Sequence, residues 1–181
     1  MVRFIRLGQI ILVCALFSAS LEVQGQEFQS SVYGHAALGY QLDDRNIYEP
    51  GFNGVGLCFD RIQTLDSTRF SIINGFEFSV IGWGSQILMS NGFGLQIFNK
   101  NKFSAKATFS ALNGIILFRP KPLYTGAFDL GAQIYYAIKQ NTSLYLRVGF
   151  RYSVSPGYRD YGPIWSYSDV PVGIGMMWKL Y

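Results

Sequence analysis

The sequence predicts an all-β chain, an eight-stranded antiparallel transmembrane up-and-down β-barrel. Three observations predict it. Apolar and polar residues alternate over long stretches. Charged residues are only 14% of the chain, well under the roughly 25% usual in soluble domains. Compact polar turns also alternate with longer connections. The alternation is clearest from Ser143 to Val154. Leu144, Leu146, Val148, Phe150, Tyr152 and Val154 fall on one face, and Ser143, Tyr145, Arg147, Gly149, Arg151 and Ser153 on the other. Successive strand side chains point to opposite sides, so this strand has one apolar face and one polar, charged face.

Residues 1–25 read as a secretory signal peptide, leaving 26–181 as a single barrel domain. Arg3 and Arg6 form a basic start, and Ile10 to Phe17 a short apolar core. Val23-Gln24-Gly25 resembles a cleavage site before Gln26, with a cut after Ser20 as the second choice. Cys14 follows Val13, not the small residue that a lipoprotein site needs. Beyond this segment no run of about 18 apolar residues could form a membrane-spanning helix. Losing Arg3, Arg6 and Glu22 takes the net charge from +4 to +3. That is too mild to argue for nucleic-acid binding. Cys58 is then the only cysteine, so no intrachain disulfide is possible, and it reads as a small strand side chain.

The strands follow in order. Ser30–Leu42 sets Val32, Ala36, Leu38, Tyr40 and Leu42 against Tyr33, His35, Ala37, Gly39 and Gln41. Asn53–Thr64 sets Val55, Leu57 and Phe59 against Gly56, Cys58 and Asp60. Arg69–Ile81 sets Phe70, Ile72, Phe76, Phe78 and Val80 against Gly75, Glu77 and Ser79, with Asn74 an exception on the apolar side. Gly92–Phe98 is a short fourth strand. The fifth starts at Phe103, with Lys106, Thr108 and Ser110 on its polar face. Its alternation fails around Asn113–Phe118, which suggests a bulge. Leu123–Ile138 sets Phe128, Leu130, Ile134 and Tyr136 against Asp129, Gln133 and Tyr135. Ser143–Val154 is the seventh. Val170–Tyr181 closes the set with Val172, Ile174, Met176, Trp178 and Leu180 opposite Gly173, Gly175 and Lys179.

Compact turns follow strands two, four and six at residues 65–68, 99–102 and 139–142. Longer segments follow strands one and seven at 43–52 and 155–169, and 82–91 reads as another. Arg119-Pro120-Lys121-Pro122 is a short, proline-rich link. Short periplasmic turns and longer outer loops belong to outer-membrane barrels.

Size decides which face is inside. An eight-stranded barrel has room only for its own side chains. Its apolar face, heavy in Phe, Tyr, Leu and Ile, would overfill that space. The polar face carries Gly39, Gly56, Gly75, Gly94, Gly131, Gly149, Gly173 and Gly175, which suit a crowded lumen. The apolar face is therefore placed in lipid. With a periplasmic N-terminus, Tyr40, Phe93, Tyr124 and Tyr152 fall at the outer rim. Phe103, Tyr136 and Trp178 fall at the inner one, as two interfacial girdles.

The signal, the eight strands, the short turns and the aromatic C-terminal residue resemble the small outer-membrane barrels of the OmpA/OmpX type. They are most similar to the outer membrane protein β-barrel or porin-like families common in Bacteroidetes. The resemblance covers about residues 26–181 and is architectural. Gly173 to Tyr181 resembles the C-terminal strand that the barrel-assembly machinery recognises. One departure stands out: Met176, Trp178 and Leu180 hold the lipid-facing register, and Tyr181 falls outside it. The resemblance implies a Gram-negative outer membrane reached through the Sec pathway. It also implies contact with outer-membrane lipid and lipopolysaccharide.

Chemistry is confined to two places. The lumen face collects His35, Asp60, Glu77, Lys106, Asp129, Arg147 and Arg151, with Tyr33, Tyr135 and Tyr145. Unpaired buried charges are costly, so these residues are expected to form a structural plug. A narrow porin-like channel is the alternative. The last outer loop carries Tyr158, Arg159, Tyr161, Trp165 and Tyr167, the makeup of a partner-binding surface. It could serve a larger outer-membrane protein complex. A lipid A acyl hydrolase or acyltransferase would need a base near the outer leaflet. His35 is the only histidine and parity turns it into the lumen. No enzyme activity, cofactor or metal is expected.

Overall fold

The strands close on themselves. A computed structural model describes residues 26–42, 45–47, 51–65, 68–81, 84–117, 122–155 and 165–180. The signal-peptide reading and Tyr158, Arg159 and Tyr161 lie outside the described residues. The elements are β1 (Gln26–Leu42), β2 (Arg45–Ile47), β3 (Gly51–Thr64), β4 (Phe70–Ile81), β5 (Gly84–Lys100), β6 (Phe103–Leu117), β7 (Pro122–Lys139), β8 (Thr142–Ser155) and β9 (Trp165–Leu180). Each long strand pairs antiparallel with the next, and β1 pairs with β9 from Gln26↔Leu180 to Leu42↔Trp165. The result is an eight-stranded transmembrane up-and-down barrel. The three-residue β2 lies beside the end of β1, through Tyr40↔Ile47 to Leu42↔Arg45.

Closure satisfies the backbone groups that an open edge would leave bare, which is what lets strands cross a bilayer. The ladders are irregular at several points. β5 slips register between Gln96 and Phe98, so Ile97 and Phe98 both face outward. β1 and β3 slip between His35 and Ala36. Beside that slip Gly54 has φ 157, and a Cβ there would strike the Val80 carbonyl oxygen. Pro171 interrupts the β8–β9 ladder. Pairing stops after Val148↔Val172 and resumes at Arg151↔Asp169, because proline has no N–H to donate.

The faces divide as their parity predicts. Leu144, Leu146, Val148, Phe150 and Tyr152 are exposed, while Tyr145, Arg151 and Ser153 are buried. Three expectations need correction. Residues 84–91 are not loop; β5 begins at Gly84, and its bonds to β4 and β6 run the whole way. Phe93 therefore sits in the middle of the wall, opposite Ile72 and Phe109, rather than at the outer rim. No bulge occurs at Asn113–Leu117, where β6 stays in register with β5 and β7. The alternation fades there because the lumen itself is apolar at that level. Leu88, Leu112 and Ala127 cluster inside it, and Ile116 is wholly buried.

Candidate functional site

The site is the lumen, and three hydrogen-bonded rungs cross it. Around the barrel the long strands run β1, β3, β4, β5, β6, β7, β8, β9, so β4 faces β8, β5 faces β9, and β1 faces β6. At the middle rung Arg151 of β8 reaches Glu77 of β4. Its Nη1 donates to Oε1 at 2.6 Å and its Nη2 to Oε2 at 2.8 Å. This is the planar fork-to-carboxylate geometry that makes Arg–carboxylate pairs strong. At the outer rung Tyr167 OH of β9 donates to Gln86 Oε1 of β5 at 3.1 Å. At the inner rung Lys106 Nζ of β6 donates to Glu27 Oε2 of β1 at 2.8 Å.

Secondary bonds tie each rung to the wall. Arg151 also donates from Nε and Nη2 to Asp129 Oδ2, at 3.1 and 2.9 Å. Arg147 Nη2 donates to the other Asp129 oxygen at 2.8 Å. The Tyr33 ring lies 5.9 Å from the Arg151 guanidinium carbon, a cation–π contact. That ring fits because position 56 is glycine; a Cβ there would overlap the Tyr33 ring and hydroxyl. Near the inner rung Gln29 Nε2 donates to Tyr135 OH at 2.6 Å, and Tyr135 OH donates to Gln133. The Tyr135 and Tyr145 rings lie 5.3 Å apart, tilted by 34°, with Met177 packed among them.

Asp60 is held differently. Ser90 Oγ donates to it at 3.2 Å and the Cys58 thiol at 3.3 Å. Beside it lies a cavity of about 10 Å³, lined by Cys58, Asp60, Ser90, Gln133 and Arg147 among others. This is room for about one water. His35 Nδ1 bonds Asp169 Oδ2, and both side chains are 0% exposed. Among the described residues no group of three or more His, Cys, Asp or Glu could hold a metal ion.

The structure brings Glu77, Asp129, Arg147 and Arg151 into one network and places Lys106 on the inner rung. His35 and Asp60 sit in separate pairings. Tyr167 is not on the loop surface. β9 starts at Trp165, and the parity of that strand turns Tyr167 inward, 2% exposed. Among the partners on the three rungs and in the His35 pair, four were missed by sequence reasoning: Glu27, Gln86, Tyr167 as a lumen residue, and Asp169. All lie on strand ends assigned to loops or left out. Carrying the parity of Tyr33 back to Ser31, Gln29 and Glu27 would have found the first. Carrying Gly173 back to Pro171, Asp169 and Tyr167 would have found two more.

No protein-family model matches the chain, and no curated protein matches it. Solved structures do. The chain is similar to Neisserial surface protein A (NspA), with a TM-score of 0.57 at 9% identity, over 87% of this chain and 99% of that one. It is also similar to Ail, the attachment invasion locus protein of Yersinia pestis, with a TM-score of 0.48 at 12% identity, over 87% and 100%. A de novo designed transmembrane β-barrel aligns with a TM-score of 0.42 at 14% identity, over 84% and 95%. The likeness to NspA supports the fold: a small eight-stranded outer-membrane type of barrel.

Proposed function

We propose that this barrel is a non-enzymatic protein of a Gram-negative outer membrane, with a plugged lumen, acting as a structural or accessory subunit. In this reading residues 1–25 direct export through the Sec pathway and are removed. The barrel-assembly machinery inserts residues 26–181 with both termini periplasmic. The observation that carries the reading is the set of three rungs. They join opposite walls at the outer, middle and inner levels of a bore only wide enough for side chains. An open channel needs that space. An acyl-transfer enzyme needs a base that lipid can reach, and the imidazole of His35 is enclosed and bonded to Asp169.

Function then falls to the outer loops. Tyr158, Arg159 and Tyr161 of the last loop, with Trp165 where β9 begins, remain the residues proposed to dock a larger outer-membrane partner, without Tyr167. Two measurements test the reading. In planar bilayers the folded protein should give no regular conductance steps; stepwise opening would overturn the plug. In mild detergent a partner should co-purify. Replacing Tyr158, Tyr161 and Trp165 by Ala should release it while heat-modifiable gel mobility stays unchanged. A complex that survives those substitutions would move docking to the wall or the short turns.

A further inference from the structure

Three asparagines break the apolar outer face. Asn74 of β4, Asn91 of β5 and Asn113 of β6 share the parity of Phe76, Phe93 and Phe109, so they face lipid, and all three are half-buried. Asn91 lies between Met89 and Phe93, which are 57% and 63% exposed, in the middle of the wall. Among the described residues none of the three amides has a hydrogen-bond partner. A carboxamide brings both donors and an acceptor into hydrocarbon, where bare polar groups are costly. Arg61, beside Asn74 on β3, is placed differently. It lies close to the inner end of its strand, with Gln63 next to it, where a long side chain can carry its charge to the headgroups.

Register and tilt set the three amides in a column. Asn74 pairs with Asn91 and Asn91 with Ala111, while Asn113 stands one strand period above Ala111 on β6. The row from Asn74 to Ala111 climbs towards β6. β4 begins at Phe70, just below Asn74, whereas β6 begins at Phe103, twice as far below Ala111. Strands in such barrels tilt by roughly 35–45°, so a step along the row moves sideways as it rises. The step up β6 from Ala111 to Asn113 moves back again. The amides therefore stand one above another, nearly parallel to the membrane normal.

The residues beside the column leave room for a close approach. Ala111 is next to Asn91, and Gly126 of β7 is opposite Asn113. The barrel itself does not require a glycine at 126. A Cβ there would meet only the Leu112 carbonyl oxygen, at an ordinary 3.8 Å, whereas at Gly92 or Gly114 it would strike a backbone carbonyl. Membrane-embedded contacts use small residues to approach closely and polar residues to form bonds that lipid tails cannot make. Met89, on the other flank, has a side chain that fills irregular gaps.

We propose that this column is the contact line of a symmetric pair, its occupant a second copy of the same barrel. Two parallel cylinders touch along a line, and the amides are arranged along one. Copies in one membrane share depth and orientation. A two-fold axis along the membrane normal thus sets each asparagine level with its counterpart. An amide both donates and accepts, so like can bond to like; a column of Arg or Asp would repel its copy. The proposal needs the transmembrane fold alone and is independent of the lumen plug and of the outer loops.

Sedimentation equilibrium of the folded barrel in density-matched neutral detergent, over a range of protein-to-detergent ratios, tests it. The wild type should dimerise reversibly. Asn74→Leu, Asn91→Leu and Asn113→Leu together should raise the dissociation constant about tenfold or more, because each intramembrane polar contact is modest but a two-fold axis counts it twice. The same variant should fold as well as wild type, with its heat-modifiable mobility kept. Ala111→Phe, which holds the walls apart, should also weaken the dimer, and Ile174→Phe on the opposite wall should not. If the triple variant fails to fold, Asn91→Leu alone must weaken the dimer. Three results would overturn the proposal: a monomer at every ratio, a dimer unaffected by the leucine substitutions, or a monomer that co-purifies with a different membrane protein and loses it in the triple variant. The last would make the column a site for an unlike partner.

Discussion

Val148 and Arg151 stand three residues apart on β8 and face opposite media. Val148 is half exposed to lipid, and its cross-strand neighbours are Ala132 and Val172. Arg151 is wholly buried and bonded to two carboxylates on two other strands. The lipid face gains its stability residue by residue, since each side chain mainly needs to be apolar. The lumen gains its stability jointly, since each charge is tolerable only while its partner stays in place. Shape matters little outside and greatly inside; polarity matters in both, with opposite sign.

The largest expected effect comes from breaking the middle rung. Arg151→Met removes the cation and leaves Glu77 and Asp129 buried with less compensation. Destabilisation should be about 3–5 kcal/mol, read from urea unfolding in lipid vesicles followed by tryptophan fluorescence. Adding Glu77→Gln should recover part of that loss, because a neutral amide replaces the stranded charge. A double-mutant cycle showing no coupling between the two positions would remove the rung as a unit.

Somewhat smaller is the effect of a charge on the other face. Val148→Arg, near the middle of its strand, should cost about 2–4 kcal/mol in the same assay. If Val148→Arg unfolds at the wild-type urea concentration, position 148 does not face hydrocarbon. The smallest effect belongs to the inner rim. Lys179 is 44% exposed and shares Glu27 with the buried Lys106. Lys179→Ala should cost under about 1 kcal/mol, whereas Lys106→Ala should cost several-fold more. Equal costs would mean that the inner rung is as wet as the rim.

Parity made most of the wall legible. The period of two is a property of the strand backbone, and lipid on one side with a narrow bore on the other forces opposite chemistry onto alternate residues. Seven lumen positions, from His35 to Arg151, could therefore be assigned without knowing a single contact. The reading failed where the medium stopped enforcing the contrast. Around Asn113 and Ile116 the bore is itself apolar, so both faces of β6 look alike. Ser85 to Asn91 looks like loop sequence because Ile87, Leu88 and Met89 run together, apolar on both faces, between short polar stretches. Strand ends such as Glu27 and Tyr167 extend past the obvious pattern.

What the sequence by itself determined is the orientation of each strand face, because that depends only on local backbone geometry and the contrast between lipid and lumen. Only the closed barrel decided which charges meet. Arg151 and Glu77 are 74 residues apart, and Lys106 and Glu27 are 79 apart. No local pattern links them. They meet because closing eight strands sets β4 opposite β8 and β1 opposite β6. The bore is also too narrow to leave either partner in water.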